Sequence, residues 1–252
     1  MFVAASTRCL GPVSLFDACS QLTDLEFDKV ELWLTTAVDE LNPAVIAADP
    51  ERFQASFREA TRLTPVAVDL QEDPDPDVFL NVSRLCKLMR IAQISIPASP
   101  LGTPFNTEID RLRQFVQVAG AEGVRLSIRT EAGHTTADPH TAVELCESVK
   151  GLGLTLDPSH YLQLSGDDPI FDRLYPHVFH THLRDSTPTE YQVTVGLGEV
   201  DYSRLVNQLS REKYNRALSI EILPEEGTPD QRQLELRQLE LRKLRMLLET
   251  LL

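Results

Sequence analysis

Apolar residues recur along this chain in two rhythms. In eight short stretches they alternate with small or polar residues, the period that sends successive side chains to opposite faces of a strand. These are residues 1–7, Lys29–Leu34, 65–70, 91–96, 125–130, 153–157, Val178–Leu183 and 217–223. The stretches between and after them, 14–25, 43–63, 77–89, 107–121, 139–150, 169–174, 202–212 and 229–252, read as helical, the second interrupted near Pro50. Strand followed by helix throughout predicts an α/β fold with a parallel sheet. The count of eight favours closure into one (β/α)8 barrel spanning residues 1–252. An open doubly wound sheet is the alternative, but the turn after the first strand lacks the GxGxxG pattern of such sheets.

The two faces of the strands differ. Leu126, Ile128 and Thr130 alternate with Ser127, Arg129 and Glu131; Leu218, Ile220 and Ile222 alternate with Ser219 and Glu221. In a barrel the aliphatic face meets the helices and the other points inward, its last members standing at the mouth where such folds do chemistry. Four strands end there in ionisable groups: Arg129 and Glu131, Asp157, His180 and His182, and Glu221. His160 follows Asp157 and Arg184 follows His182, while the second strand turns Glu31 and Trp33 the same way. Arg129, Arg184, Glu31, Trp33 and His180 are candidate substrate contacts. Two carboxylates and an imidazole form a mixed oxygen and nitrogen set suited to Mn²⁺, Mg²⁺, Co²⁺ or Zn²⁺. The alternative is a hydrogen-bonded polar network without a metal, since buried acids demand compensation from some source.

Composition narrows the partners. A formal charge of −14 repels polyanions and argues against a nucleic-acid surface or an anionic membrane. No apolar run approaches a bilayer span and the N-terminus lacks a basic-then-apolar leader, so a cytoplasmic location is the default expectation. Cys9, Cys19, Cys86 and Cys146 are too scattered for a zinc knuckle or a disulfide framework. No organic cofactor is expected. The terminal LELRQLELRKLRMLLETLL segment offers leucines on more than one face, and those not covering the barrel are candidates for a homo-oligomer contact.

The segments LTLDPSHY (Asp157, His160), HTHLRD (His182), the GLGEVDY loop (around Gly198 to Tyr202) and LSIE (Glu221) occur in order along the chain, with VELW (Glu31) upstream as a weaker echo. On these the sequence resembles the xylose-isomerase-like TIM-barrel superfamily of sugar-phosphate isomerases and epimerases, related to endonuclease IV. The resemblance covers the whole layout and is strongest from about residue 124 to 223. It implies one divalent metal held by a glutamate on strand five, an aspartate on six, a histidine on seven and a glutamate on eight. Asp157, His182 and Glu221 match the last three places. His160 matches a histidine that contacts substrate oxygen, Glu31 a strand-two position, and Arg184 stands where many members carry lysine.

Strand five departs from the pattern. Members commonly read LAIExH, whereas this chain reads LSIRTE, with Arg129 at the ligand glutamate's place. Either Glu131, two residues on, substitutes as a ligand, or Arg129 itself supplies the positive charge. The implied chemistry is proton transfer on a small sugar-like polyhydroxy carbonyl compound. Glu221 takes one proton-transfer role and Glu131 or His160 the other, because an arginine is no base near neutral pH. The alternative is a metal-free barrel of altered or lost catalysis that binds a polar or anionic metabolite through Arg129 and Arg184. DNA cleavage of the endonuclease IV kind is disfavoured, since the loop after strand seven has no histidine.

Overall fold

The computed structural model describes residues 1–11, 13–162, 170–224 and 231–252. Eight parallel strands close in sequence order: β1 (Phe2–Ser6), β2 (Lys29–Leu34), β3 (Thr64–Leu70), β4 (Gln93–Ile96), β5 (Arg125–Arg129), β6 (Leu152–Leu156), β7 (Val178–Leu183) and β8 (Ala217–Ile220), with β8 pairing back to β1. The barrel expected from the alternation is the one found. Its helices are α1 (Leu15–Asp24), α2 (Pro43–Ile46), α3 (Pro50–Ala60), α4 (Pro76–Met89), α5 (Phe105–Ala121), α6 (Pro139–Ser148), α7 (Ser159–Leu162), α8 (Ile170–Leu174), α9 (Tyr202–Arg211) and α10 (Gln231–Glu249). The helix starts expected at Pro169 and Pro229 lie outside the described residues.

Local chemistry sets the boundaries. Ser14, Asp49, Asp138 and Asp201 each cap a helix by accepting a backbone N–H of its first turn. Proline follows the cap in α3 and α6, where its missing N–H costs nothing. The expected interruption near Pro50 is therefore the gap between α2 and α3. The eighth strand ends at Ile220 rather than 223, so Glu221 already belongs to the mouth. A short 3-10 turn, Thr7–Leu10, follows β1 and was not foreseen.

The aliphatic strand faces, including Leu126, Ile128, Leu218 and Ile220, are buried with helix side chains in one core. Inside the barrel, the β6–β7 register shifts between Leu154 and Thr155. There the Phe179 ring lies where a Cβ on Gly153 would collide with it, so glycine leaves the ring its space. Helix α10 buries Arg237, Leu241, Leu244 and Leu248, and leaves Leu236, Leu239, Met246 and Leu247 exposed. No described helix is long and apolar enough to cross a membrane.

Candidate active site

Ends of six strands deliver charged groups to one region of the barrel. Glu31 comes from β2, Asp69 from β3, Arg129 from β5, Asp157 from just past β6, His180 and His182 from β7, and Glu221 from just past β8. All are buried, as is Arg184. Arg8, from the turn after β1, and Tyr191, from the loop between β7 and α9, complete the group. Among the described residues a cavity of about 170 Å³ opens here, lined by Arg8, Arg129, Thr130, Glu131, Ala132, Asp157, His160, His182, Arg184, Tyr191, Glu221 and Leu223. A wider depression of about 950 Å³, between the segment 187–199 and α10, holds none of the charges at the strand ends.

Arg184 ties the floor together. Its Nη2 donates to Asp157 Oδ2 and, at 3.0 Å, to Glu221 Oε2. Arg8 Nη1 donates to the other Glu221 oxygen at 2.9 Å. The imidazole of His182 lies between two acids, with Nε2 2.8 Å from Glu31 Oε1 and Nδ1 3.3 Å from Glu221 Oε2. Burial alone would lower its pKa, but Glu221 and Glu31 outweigh that and push it up to about 10. The two acids thus favour its protonated form. Burial would raise the carboxyls of Glu31 and Glu221, yet the cationic imidazole holds both below the usual range, assisted at Glu31 by His180 and at Glu221 by Arg184 and Arg8.

Arg129 turns away from Glu221. It donates to Asp69 Oδ1 at 2.6 Å, to the carbonyls of Leu70 and Gln71, and more loosely to Glu131 at 3.4 Å. Glu131 is held by that contact and by His134 at 3.8 Å, and its side chain is 26% exposed. Next to Glu131, the backbone N–H of Ala132 donates to His160 Nδ1. With Nδ1 accepting, the neutral ring carries its proton on Nε2, which donates to Tyr191 Oη; Tyr191 in turn donates to Asp157 Oδ2 at 3.0 Å. Burial lowers the His160 pKa and favours this neutral form.

The loop that brings Tyr191 here is fixed by Asp185, whose carboxylate accepts from the backbone N–H groups of Ser186, Gly196 and Gly198. A Cβ on Gly198 would collide with that carboxylate, so the GLGE segment needs glycine there.

Of the residues singled out in the sequence, Glu131, His160, Arg129, Arg184, Asp157, His182 and Glu221 meet around the cavity. Glu31 and His180 lie deeper, with His180 Nε2 3.1 Å from Glu31 Oε2. Trp33 also lies outside the cavity lining; its ring sits under the Arg8 guanidinium at 5.4 Å and its Nε1 donates to Gln71. Asp69, Arg8 and Tyr191 were missed. Asp69 had a signal, since PVAVDL ends in an acid as the other site strands do. Arg8 and Tyr191 come from a turn and a loop with no periodicity to read.

Two described sets, Glu31 with His180 and His182, and Asp69 with His182 and Glu221, bring three potential metal ligands within 4.8 Å of one another. Both need His182, whose ring nitrogens already face Glu31 at 2.8 Å and Glu221 at 3.3 Å. The family-derived set fits no better. A guanidinium already bridges Asp157 and Glu221, and the strand-five place belongs to Arg129. In this arrangement the residues do not fit a divalent ion.

Residues 19–242 match the family model described as xylose isomerase-like TIM barrel. Comparison with curated protein sequences finds no match. Among solved structures, the 3-keto-D-glucoside 4-epimerase of E. coli in its apo form superposes with a TM-score of 0.72 at 15% identity, covering 97% of this chain and 99% of that one. The D-allulose 3-epimerase of Methylomonas sp. in complex with D-allulose gives 0.73 at 10% identity, covering 98% and 96%. A xylose isomerase-like TIM-barrel protein of Mycobacterium smegmatis in complex with magnesium gives 0.71 at 15%, covering 98% and 97%. At such identities the likeness is one of fold.

Proposed function

The chain belongs to the xylose isomerase-like TIM-barrel family, and from that premise we propose that it is a sugar isomerase- or epimerase-like protein. It binds a small polyhydroxylated carbonyl compound at the barrel mouth and moves a proton on the carbon beside the carbonyl. The observation that carries this reading is the contrast among the carboxylates lining the cavity. Asp157 and Glu221 are locked in short contacts to arginine, whereas Glu131 is half-buried and only loosely paired. A proton acceptor needs that freedom; a carboxylate held below its usual pKa by several cations is a weak base.

Glu131 takes the proton. Tyr191, whose phenol burial keeps protonated, and His160 form a chain of donors to Asp157, and either re-aims its O–H or N–H to hold a substrate hydroxyl or return a proton. Glu221 keeps Arg8, Arg184 and His182 in place. Glu31, His180 and Arg129 act at one remove, by fixing His182 and the β3 end. Substrates with several hydroxyls suit this lining, which is rich in donors and acceptors and poor in apolar surface.

The test is incubation of the protein in D₂O with a panel of ketoses, aldoses and their phosphates. The expected result is one deuterium incorporated beside the carbonyl, with Glu131→Gln reducing the rate about 10²–10⁴-fold, the usual weight of a general base. Ligand-induced stabilisation without any exchange would instead favour a binding protein, the reading that the unpartnered N–H groups of Arg184 would then serve.

A further inference from the structure

The proton-transfer reading leaves open what stabilises the substrate oxygen, since the residues do not fit a divalent ion. Resting on that reading, we infer that the Arg184 guanidinium takes the cation's place: it holds Asp157 and Glu221 together and receives the negative charge that develops on the substrate carbonyl.

Three observations meet at this side chain. A single nitrogen, Nη2, serves carboxylates from the ends of two strands that flank β7, Asp157 after β6 and Glu221 after β8, as a bridging ion would. The guanidinium lies 4.4 Å from the Tyr191 ring centroid, which fixes its position. Its Nε and Nη1 are buried yet have no hydrogen-bond partner, although Arg184 lines the cavity. A guanidinium can only donate, so the missing partners are oxygen acceptors. The cavity, about 170 Å³, lies below the roughly 300–1,000 Å³ of drug-sized sites. It suits a short ketose or aldose rather than a large glycoside.

The chemistry balances without an added reagent. Glu131 removes the proton from the carbon beside the carbonyl, the C–H electron pair becomes a carbon–carbon double bond, and the carbonyl π pair moves onto oxygen. An Arg184 N–H meets that oxygen, already in place before the charge arrives. Return of a proton to the same carbon from the other face inverts it. Return to the former carbonyl carbon, with the proton of the adjacent hydroxyl passing to the former carbonyl oxygen and a new carbonyl closing at that adjacent carbon, exchanges ketose for aldose.

Wild-type protein dialysed against EDTA and titrated with Mn²⁺ by calorimetry provides the test, together with its deuterium-exchange rate before and after chelation. Expected are no stoichiometric Mn²⁺ site in the micromolar range and an exchange rate unaltered by EDTA. Arg184→Met should lower exchange about 10²–10³-fold, the usual effect of removing an oxyanion donor, and raise Mn²⁺ affinity at least about tenfold, because it frees Asp157 and Glu221. One Mn²⁺ per chain bound at micromolar concentration by the wild type, and lost in Asp157→Asn, would overturn the inference. So would exchange abolished by EDTA and restored by Mn²⁺. If the panel shows no exchange at all, the proton-transfer reading fails and the wild-type titration still decides whether arginine or metal holds the acids. That titration also decides if Arg184→Met does not fold.

Discussion

On the β4–β6 side of the barrel interior, Ser95, Ser127 and Thr155 share their hydroxyls at 2.6 to 3.3 Å, joined by the Gln93 amide. On the β2, β7 and β8 side, Glu31, His180, His182 and Ser219 occupy equally buried positions, and there the network includes the Glu31–His182 ion pair. Both networks are inward-facing and buried. The neutral one satisfies its three hydroxyls among themselves and leaves over only the Gln93 Oε1 acceptor. The ionised one is satisfied only collectively, through His182, Arg184, Arg129 and Arg8. It climbs to the mouth, where some donors remain unpartnered. Burial alone therefore does not distinguish packing from function; charge, with unpartnered donors on a residue that lines the cavity, does.

That comparison can be pressed by substitution. The largest effect is expected on the charged side: Arg129→Met leaves Asp69 buried without its cation and should destabilise by about 3–5 kcal/mol in urea unfolding. The double replacement Arg129→Met with Asp69→Leu should recover much of that loss, and full additivity would contradict a shared ion pair.

The next effect is one of pH. His182 has a folded pKa near 10 against about 6.5 unfolded. Its contribution is complete below the unfolded value and is lost as pH rises through the folded one. Stability should fall by a few kcal/mol, on the order of what such a shift implies, between pH 7 and 10. The His182→Gln variant should show a shallower decline over that window. An equal slope in the two proteins would mean that His182 is not held protonated.

Ser219→Ala removes the hydroxyl that donates to Glu31 and is expected to cost about 1.5–3 kcal/mol, the range for a hydrogen bond to a charged group. Thr155→Val, on the neutral side, should cost only about 0.5–1.5 kcal/mol, because Ser95 and Ser127 remain 3.3 Å apart and can bond each other. A reversed order would mean that the hydroxyl layer, and not the ionised one, is the more tightly coupled. Outside the barrel, Arg113→Ala breaks an exposed pair with Asp110 and should change stability by less than about 1 kcal/mol.

The barrel was legible because its periods are regular: KVELWL, LSIR and LSIE each announce an aliphatic outer face and a polar inner one. The same regularity exposed Asp157, His182 and Glu221. What it could not show was pairing. Arg129 and Arg184 both read as cations near the acids, yet Arg129 turns to Asp69 and Arg184 takes the central place. That choice depends on which side chains reach across the barrel, a distance no local pattern encodes. Tyr191 was invisible for a different reason: its position depends on Asp185 gripping backbone N–H groups at Gly196 and Gly198, a contact made by loop shape.

The most direct measurement is anomalous diffraction from crystals soaked in Mn²⁺. No anomalous peak is expected between Asp157 and Glu221, with guanidinium density of Arg184 bridging them. A strong peak at that point, with Arg184 displaced from both carboxylates, would contradict the arginine bridge.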